Sequence, residues 1–229
     1  VGLTSMERTL ERDSAVQKLP DEVDATFPKQ RSVHTARSRR RAVLAGAVGN
    51  IVEWYDWTIY ALFAVYFSEQ IFPNSNPTAS LLAALAVFAV GFVARPVGSV
   101  LLGRICDRVG RRAALSTTVT IMAITSLGIA LVPTAASMRI WASMILLALR
   151  IIHGLSRGGE TSAVGAFLAE SAPANRRGIF TSVYATTIMI GTLLGAAVGL
   201  LLTTVMTDAE LSAFGWRIPF LIGGVLGIV

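Results

Sequence analysis

The stretch GRICDRVGRR, residues 103–112, lies between two long apolar runs and contains four arginines. The runs on either side, residues 79–102 and 113–132, each have the length that a helix needs to cross a bilayer, which is roughly 20 apolar residues. A short, charged segment that contains glycine and joins two such runs is typical of a loop between membrane helices. The stretch therefore indicates a membrane protein built from helices.

The composition of the chain supports this interpretation. Of its 229 residues, 53% are hydrophobic and 15% are charged, and the mean hydropathy is +0.62. Soluble domains carry about 25% charged residues, so a water-soluble enzyme is nearly excluded. The length holds roughly five or six spans and no separate catalytic domain. The one cysteine, Cys106, excludes a cysteine-based metal cluster, and we expect no enzymatic activity, no cofactor and no metal site.

The apolar runs predict six membrane spans, of which the last is incomplete. The spans are predicted at about residues 42–67, 79–102, 113–132, 140–169, 178–206 and 218–229. A helix of the last twelve residues is too short to cross a bilayer. The loops between the spans are short, so consecutive helices are expected to be antiparallel neighbours. Residues 1–41 are polar and mixed in charge, and we expect them to form a disordered tail.

Lysine and arginine are distributed unevenly between the two sides of this predicted bundle. The tail, the 103–112 loop and the 172–178 loop together hold 15 of the 20 residues, whereas the other three loops hold Arg139 and Arg217. Because positively charged loops stay in the cytoplasm, the N-terminal tail is expected to be cytoplasmic. The net charge of +6 therefore reflects membrane topology, and binding of nucleic acid is not expected.

Three of the predicted spans contain ionisable residues. Such residues are costly in a membrane unless they are paired, hydrated or neutralised, so they indicate a substrate or ion pathway. In the first span the helical period places Asn50, Glu53, Trp57 and Tyr60 on one face, with Asp56 at its edge. The candidate pathway for substrate and protons consists of Glu53, Asp56, Arg95, Arg150, His153, Arg157 and Glu160. The alternative is that these groups only pair with one another and hold the bundle together.

The charges within the spans indicate which substrate such a pathway would take. Three arginines and three carboxylates make the interior formally neutral while His153 is uncharged. Burial disfavours the charged form of a carboxylate, and protonation of one carboxylate would make the interior positive. This is the electrostatic basis of proton-coupled anion uptake, and arginine is suited to binding both oxygens of a carboxylate. A zwitterionic osmolyte could use the same neutral set.

Three other features have both a structural and a functional interpretation. The segment at 154–158 matches the G-x-S-x-G motif of hydrolases, but a hydrolase needs that motif at a strand-to-helix turn, so serine catalysis is not expected. His153 is either a proton carrier or a packed, hydrogen-bonded histidine. Gly191, Gly195 and Gly199 recur at every fourth residue, which predicts close helix packing.

The loop at 103–112 resembles the signature loop of the major facilitator superfamily, G-x-x-x-D-R-x-G-R-R. Four further segments resemble the metabolite:proton symporter family within that superfamily: GNIVEWYDW at 49–57, RPVG at 95–98, RIIHGLSRGGE at 150–160 and WRIPF at 216–220. The FPNSN turn at 72–76 and the run from Asp208 to Phe220 are most similar to the 2-oxoglutarate permeases of this family. The resemblance extends from about residue 46 to residue 229.

This resemblance implies the N-terminal six-helix bundle of a twelve-helix transporter that works by alternating access in the bacterial cytoplasmic membrane. The implied partners are the lipid bilayer, a small-molecule substrate with protons, and the C-terminal half of the same transporter. The implied cytoplasmic gating loop consists of Gly103, Asp107, Arg108, Gly110, Arg111 and Arg112, with Glu170 as a pairing partner. Two positions depart from the family: His153 replaces the usual glutamine, and Arg157 replaces a small or apolar residue.

The function that these observations predict is proton-coupled symport of a small organic anion, such as 2-oxoglutarate or another carboxylate. A protonated carboxylate of the first span and the arginines of the second and fourth spans would form the anion site. Two alternatives stay open: an osmolyte symporter of the proline/betaine type, and a truncated membrane fragment that does not transport.

Overall fold

The computed structural model describes residues 36–109, 111–171 and 177–228, with side chains described at 46–104, 108, 116–158, 182 and 184–228. Within these ranges, six helices of twelve or more residues follow one another along the chain: α1 (Ala36–Ile71), α2 (Pro77–Val109), α3 (Arg111–Ala130), α4 (Ile140–Ser171), α5 (Arg177–Val205) and α6 (Arg217–Ile228). The described segments contain no strand. The predicted all-α fold is therefore confirmed.

The ends of the helices differ from the predicted spans by a few residues. α1 begins at Ala36, so residues 36–41 of the predicted tail are helical, in agreement with the high helix propensity of alanine and arginine. Residues 1–35 of that tail lie outside the described residues. α2 begins after Asn76, whose side-chain oxygen accepts the Thr78 amide hydrogen at 2.9 Å, and it continues through Pro96.

Three of the described helical segments are long and apolar enough to cross a membrane: Pro77–Arg104, Ile140–Gly158 and Tyr184–Val205. A fourth candidate is the pair of helical segments Asp208–Gly215 and Arg217–Ile228, which meet at an angle of 47°. In α1 the polar residues lower the hydropathy, and in α3 the apolar part, Ser116–Ala130, is shorter. The multi-pass architecture therefore includes a long helix, α1, that cannot be recognised by hydropathy alone.

α1 is the central helix of the bundle, and its polar side chains contact every other long helix. These contacts are Tyr60 Oη to the Ala84 carbonyl on α2 (3.0 Å), Asp56 to Ser126 on α3 (2.6 Å) and to Arg150 on α4 (3.4 Å), Asn50 to Thr187 on α5 (2.7 Å), and Tyr55 Oη to the Pro219 carbonyl on α6 (2.9 Å). A polar helix is costly in lipid but is stabilised where its neighbours supply partners. The most polar of the described spans is accordingly enclosed by the others.

The outward faces of the other helices are apolar. On α2 the exposed side chains include Val93, and on α5 they include Met189 and Leu193, each more than 70% exposed in the isolated chain. In lipid such side chains need no protein partner, because the acyl chains are as apolar as they are. Polar groups thus lie inside the bundle and apolar groups outside it.

Glycine allows α2 and α4 to touch backbone to backbone. A Cβ at Gly154 would clash with the Gly91 carbonyl oxygen, and a Cβ at Gly158 would clash with the Arg95 carbonyl oxygen. The opposite face has the same property, since a Cβ at Gly98 would clash with the Leu155 carbonyl oxygen. The G-x-S-x-G segment is therefore a packing surface in the middle of α4, which rejects its interpretation as a hydrolase motif.

The glycines of α5 pack against α1. A Cβ at Gly191 would clash with the Ile51 carbonyl oxygen, and a Cβ at Gly195 would lie 2.9 Å from Thr58 Cβ. The predicted close packing of this glycine repeat is confirmed.

Arg217, at the start of α6, satisfies backbone carbonyls beyond the end of α3. Its Nη1 donates to the carbonyl oxygens of Ala130 and Val132 at 2.6 and 2.7 Å. Hydrogen bonds from a charged donor contribute about 1.5–3 kcal/mol each, less where water competes. We therefore expect Arg217→Ala to lower the midpoint of thermal unfolding in detergent by several degrees. The exposed Arg139→Ala is the matched control, and an equal effect of both substitutions would contradict the capping role.

Candidate functional site

Asp56 lies at the centre of a buried polar cluster that three helices form. Its Oδ1 accepts a hydrogen bond from Ser126 Oγ of α3 at 2.6 Å. Its Oδ2 lies 3.4 Å from Arg150 Nη1 and 3.7 Å from His153 Nε2, both on α4. Asp56 is 2% exposed, and Arg150 and His153 are fully buried. The carboxylate therefore has one oxygen bound to a neutral donor and the other facing two basic groups.

Glu53 forms a second centre, one helical turn before Asp56 on α1. Its Oε1 lies 3.3 Å from Arg95 Nη2 of α2, and its Oε2 contacts Arg157 Nη2 of α4. The side chains of Glu53 and Arg157 are buried, whereas that of Arg95 is 21% exposed. Arg157, one of the two departures from the family, is thus paired with the carboxylate that also binds Arg95.

Aromatic rings of α1 and α2 cover the faces of two guanidinium groups. Arg150 Cζ lies 3.7 Å from the centroid of the Tyr60 ring and 5.2 Å from that of Trp57. Arg95 Cζ lies 4.5 Å from the Trp57 ring and 4.4 Å from the Phe92 ring. Cation–π contacts of this kind stabilise a desolvated guanidinium by about 2 kcal/mol. Trp57 therefore lies between the two arginines and fixes both.

The charges of the described side chains in this cluster do not cancel. Three arginines face two carboxylates, so the cluster carries a formal charge of +1 while His153 is neutral. The sixth charge of the predicted set, Glu160, is on α4, but its side chain lies outside the described residues. A positive, water-poor cluster attracts anions strongly because the effective dielectric constant is low.

The structure brings together six of the seven predicted pathway residues, all except the undescribed Glu160 side chain. Asn50 was predicted on the same helix face, but it donates to Thr187 on α5 and lies apart from the ion pairs. In the predicted gating loop, Arg108 is exposed and a Cβ at Gly103 would have open space. The side chains of Asp107, Arg111, Arg112 and Glu170, and all of Gly110, lie outside the described residues.

Two hydroxyl groups of α3, those of Thr125 and Ser126, belong to the cluster but were missed in the sequence. Thr125 Oγ1 lies 3.0 Å from His153 Nδ1 and donates to the Met122 carbonyl at 2.9 Å. The available signal was a Thr-Ser pair in an otherwise apolar run. It is a weak signal because such hydroxyls commonly bind carbonyls of their own helix. Among the described residues, no group of three or more His, Cys, Asp or Glu could hold a metal ion.

A family model described as "Sugar (and other) transporter" matches residues 42–229. The chain belongs to this transporter family. The match covers all six described helices apart from the first residues of α1. The family lies within the major facilitator superfamily, so the resemblance predicted from the signature loop is confirmed.

Curated relatives of this transporter family include proteins named for an organic anion and for an osmolyte. The chain is 38% identical over 208 residues to the alpha-ketoglutarate permease of Escherichia coli (strain K12), a match of 90% of this chain and 48% of the relative. It is 37% identical over 190 residues to the proline/betaine transporter of Salmonella typhimurium (strain LT2), a match of 83% of this chain and 38% of the relative. The chain thus spans about half the length, or less, of these relatives.

A solved structure with the same fold is the proton:xylose symporter XylE of E. coli bound to 6-bromo-6-deoxy-D-glucose. The TM-score is 0.72 at 21% identity, over 83% of this chain and 42% of that chain. This similarity shows the fold of a major facilitator transporter. Together with the apolar helices, the family makes the chain a multi-pass protein of the bacterial inner membrane.

Proposed function

We propose that this chain forms the N-terminal half of a symporter that carries a small organic anion together with protons across the inner membrane. The observation that supports this proposal is the buried excess of arginine over carboxylate around α1. Three guanidinium groups are held within one cluster by two carboxylates and by aromatic rings. An isolated charge of this kind is costly in a membrane, and its retention indicates a functional role.

The proposed mechanism couples proton binding to anion binding through the ion pairs of α1. When a proton neutralises one α1 carboxylate, its arginine loses its counter-charge and can bind a carboxylate of the substrate. The bound anion restores neutrality, which allows the loaded site to pass between the two sides of the membrane. In this proposal the C-terminal half of the same transporter supplies the opposite wall of the pathway, the two halves alternate in access, and the N-terminus lies in the cytoplasm.

The proposed substrate class is a di- or tricarboxylate such as 2-oxoglutarate. An additional guanidinium at position 157 gives the described cluster its positive excess, and an excess of this sign favours substrates with more than one negative charge. The permease relative that is 38% identical is named for alpha-ketoglutarate, which agrees with this choice.

The second candidate is an osmolyte symporter. A relative of 37% identity is named a proline/betaine transporter, and the interior becomes formally neutral when Glu160 is counted, which suits a zwitterion. The two candidates differ in the net charge of the substrate, so competition between substrates separates them.

The test is uptake of labelled 2-oxoglutarate into vesicles that carry the complete transporter, with and without an imposed proton gradient. We expect accumulation that requires the gradient and that unlabelled dicarboxylates inhibit, while betaine and proline do not. Arg139→Ala, an exposed residue outside the cluster, is the control for handling of the protein. Uptake that is independent of the gradient would contradict proton coupling, and inhibition by betaine alone would favour the osmolyte symporter.

Glu53 is expected to stabilise the fold more than Asp56 does, because it neutralises two arginines. Glu53→Gln would leave Arg95 and Arg157 without their shared counter-charge, and breaking a buried ion pair costs about 3–5 kcal/mol. We expect Glu53→Gln to lower the yield of folded protein in mild detergent far more than the matched Asp56→Asn. Equal yields of the two variants, measured by size-exclusion chromatography, would show that Glu53 has no such role.

A further inference from the structure

His153 is the buried histidine of α4, and its two ring nitrogens face different groups. Nδ1 lies 3.0 Å from Thr125 Oγ1 of α3, and Nε2 lies 3.7 Å from Asp56 Oδ2 of α1. The ring is enclosed by Trp57, whose centroid lies 6.0 Å away in an edge-to-face arrangement. His153 therefore bridges the carboxylate of α1 and a hydroxyl of α3.

The hydrogen bonds of Thr125 determine which nitrogen carries the proton. A threonine hydroxyl has one hydrogen, and Thr125 donates it to the Met122 carbonyl at 2.9 Å. Thr125 Oγ1 therefore accepts from His153 Nδ1–H. This leaves a lone pair on Nε2, which agrees with the absence of a hydrogen-bond partner for Nε2 among the described residues, since a buried N–H there would be unsatisfied.

We infer that the coupling proton of the proposed symport binds between Asp56 Oδ2 and His153 Nε2. This inference rests on the proposed function and assigns one of its protons to a specific pair of atoms. Both atoms are acceptors in the unprotonated state, so the pair takes up one proton from outside the site and shares it. The proton bound there also weakens the ion pair of Asp56 with Arg150, whose Nη1 lies 3.4 Å from the same Oδ2, and this frees Arg150 for the anion.

The other groups around the pair set the sense of this coupling. From α4 the charged neighbours are Arg150 and, one turn further, Arg157. The latter contacts Glu53, the second carboxylate of α1, and Arg95 of α2 binds that carboxylate as well. Of the α3 and α6 groups that contact the pair, the structure describes the hydroxyls of Thr125 and Ser126 and, through Ser126, the Phe220 carbonyl. No further carboxylate ion-pairs with His153 in the described part of the chain.

The first test measures the tautomer of His153 directly, without any transport. The chain has two histidines, so ¹⁵N-histidine labelling of the purified complete transporter in detergent, with His153→Gln for assignment, resolves the ring. We expect the Nδ1–H tautomer at alkaline pH and protonation of Nε2 on acidification. Asp56→Asn should move this protonation to lower pH, because the carboxylate that favours the imidazolium is gone. An Nε2–H tautomer in the unprotonated wild-type ring would overturn the inference.

A matched pair of α3 variants separates this tautomer argument from simple packing. Thr125→Ser keeps the hydroxyl that accepts from Nδ1–H and should keep the tautomer. Thr125→Val keeps the shape of the side chain and removes the acceptor, so both tautomers should become populated. If Thr125→Val and Thr125→Ser give the same spectrum as the wild type, the hydroxyl does not set the tautomer and the proposed proton site is wrong.

The second test is the pH profile of transport. His153→Gln leaves Asp56 as the only acceptor of the pair, and glutamine cannot take a proton. We expect gradient-driven uptake of 2-oxoglutarate to persist, with its half-maximal pH shifted to lower values by about one unit or more, because a carboxylate alone holds the proton less tightly than the shared site. An unchanged profile would overturn the inference. If the wild type takes up no anion at all, the proposed function fails, while the ¹⁵N measurement still decides whether the shared proton site exists.

Discussion

Replacing Arg150 with alanine is expected to reduce uptake of the anion by about 100-fold or more, which corresponds to about 3 kcal/mol of lost binding. Arg150 is fully buried, is paired with Asp56 at 3.4 Å and has its guanidinium face on the Tyr60 ring at 3.7 Å. No water can replace its charge at this depth. A group held in this way is pre-organised for a carboxylate that arrives as Asp56 is neutralised.

The loss of Arg150 also leaves Asp56 without its counter-charge, so the effect on folding has to be measured separately. Arg150→Lys keeps the charge and loses the planar fork, and it should retain folding while uptake falls at least about tenfold. Arg95→Ala should have a smaller effect than Arg150→Ala, because Arg95 is partly exposed and Glu53 keeps Arg157. Insertion and monodispersity are checked by size-exclusion chromatography. Full uptake by a folded Arg150→Ala protein would reduce this residue to a structural pair.

Adding one methyl group at Gly154 is expected to prevent α2 and α4 from packing. A Cβ there would clash with the Gly91 carbonyl oxygen, which belongs to the backbone of the neighbouring helix and cannot rotate away. The two helices would have to separate, and overpacking in a tight interface costs about 1–3 kcal/mol or more. Because Arg95 lies on α2 and Arg150 lies on α4, the ion pairs to α1 would move with them. We expect Gly154→Ala to yield little folded protein.

Gly103→Ala is the matched control for this prediction, because Gly103 also lies in a helix but a Cβ there meets no heavy atom within 4 Å. Alanine is favoured over glycine in a helix by about 1 kcal/mol, so this variant should be slightly more stable than the wild type. The measurement is the thermal unfolding midpoint of the purified protein in one detergent. A Gly154→Ala protein with a midpoint equal to that of Gly103→Ala would show that the close approach of α2 and α4 is not required.

The sequence was sufficient to predict the helices and the members of the polar cluster, and the physical reason is periodicity. In α4, Arg150, His153 and Arg157 recur at three and four residues, and in a membrane an ionisable stripe must face the protein interior. The repeated small residues of α5 similarly predicted close packing. Both predictions depend only on local geometry and on the cost of placing charge in lipid.

The pairing within the cluster could not be predicted, because it depends on distances between helices. The glycine contacts that bring α4 against α2 place Arg157 beside Glu53 and His153 beside Asp56. The sequence left open whether Arg157 pairs with Glu160 or alters the substrate. The hydroxyls of Thr125 and Ser126 were missed for the same reason, since a hydroxyl in an apolar helix acquires a role only when a charged neighbour lies opposite it.

The measurement that tests the central claim most directly is the movement of protons with the anion. Vesicles that carry the complete transporter are loaded with a pH-sensitive dye and clamped at zero membrane potential, and 2-oxoglutarate is added outside at equal internal and external pH. We predict acidification of the lumen that depends on the anion and is abolished in Arg150→Ala. Entry of labelled 2-oxoglutarate without acidification of the lumen would contradict proton-coupled symport by this site.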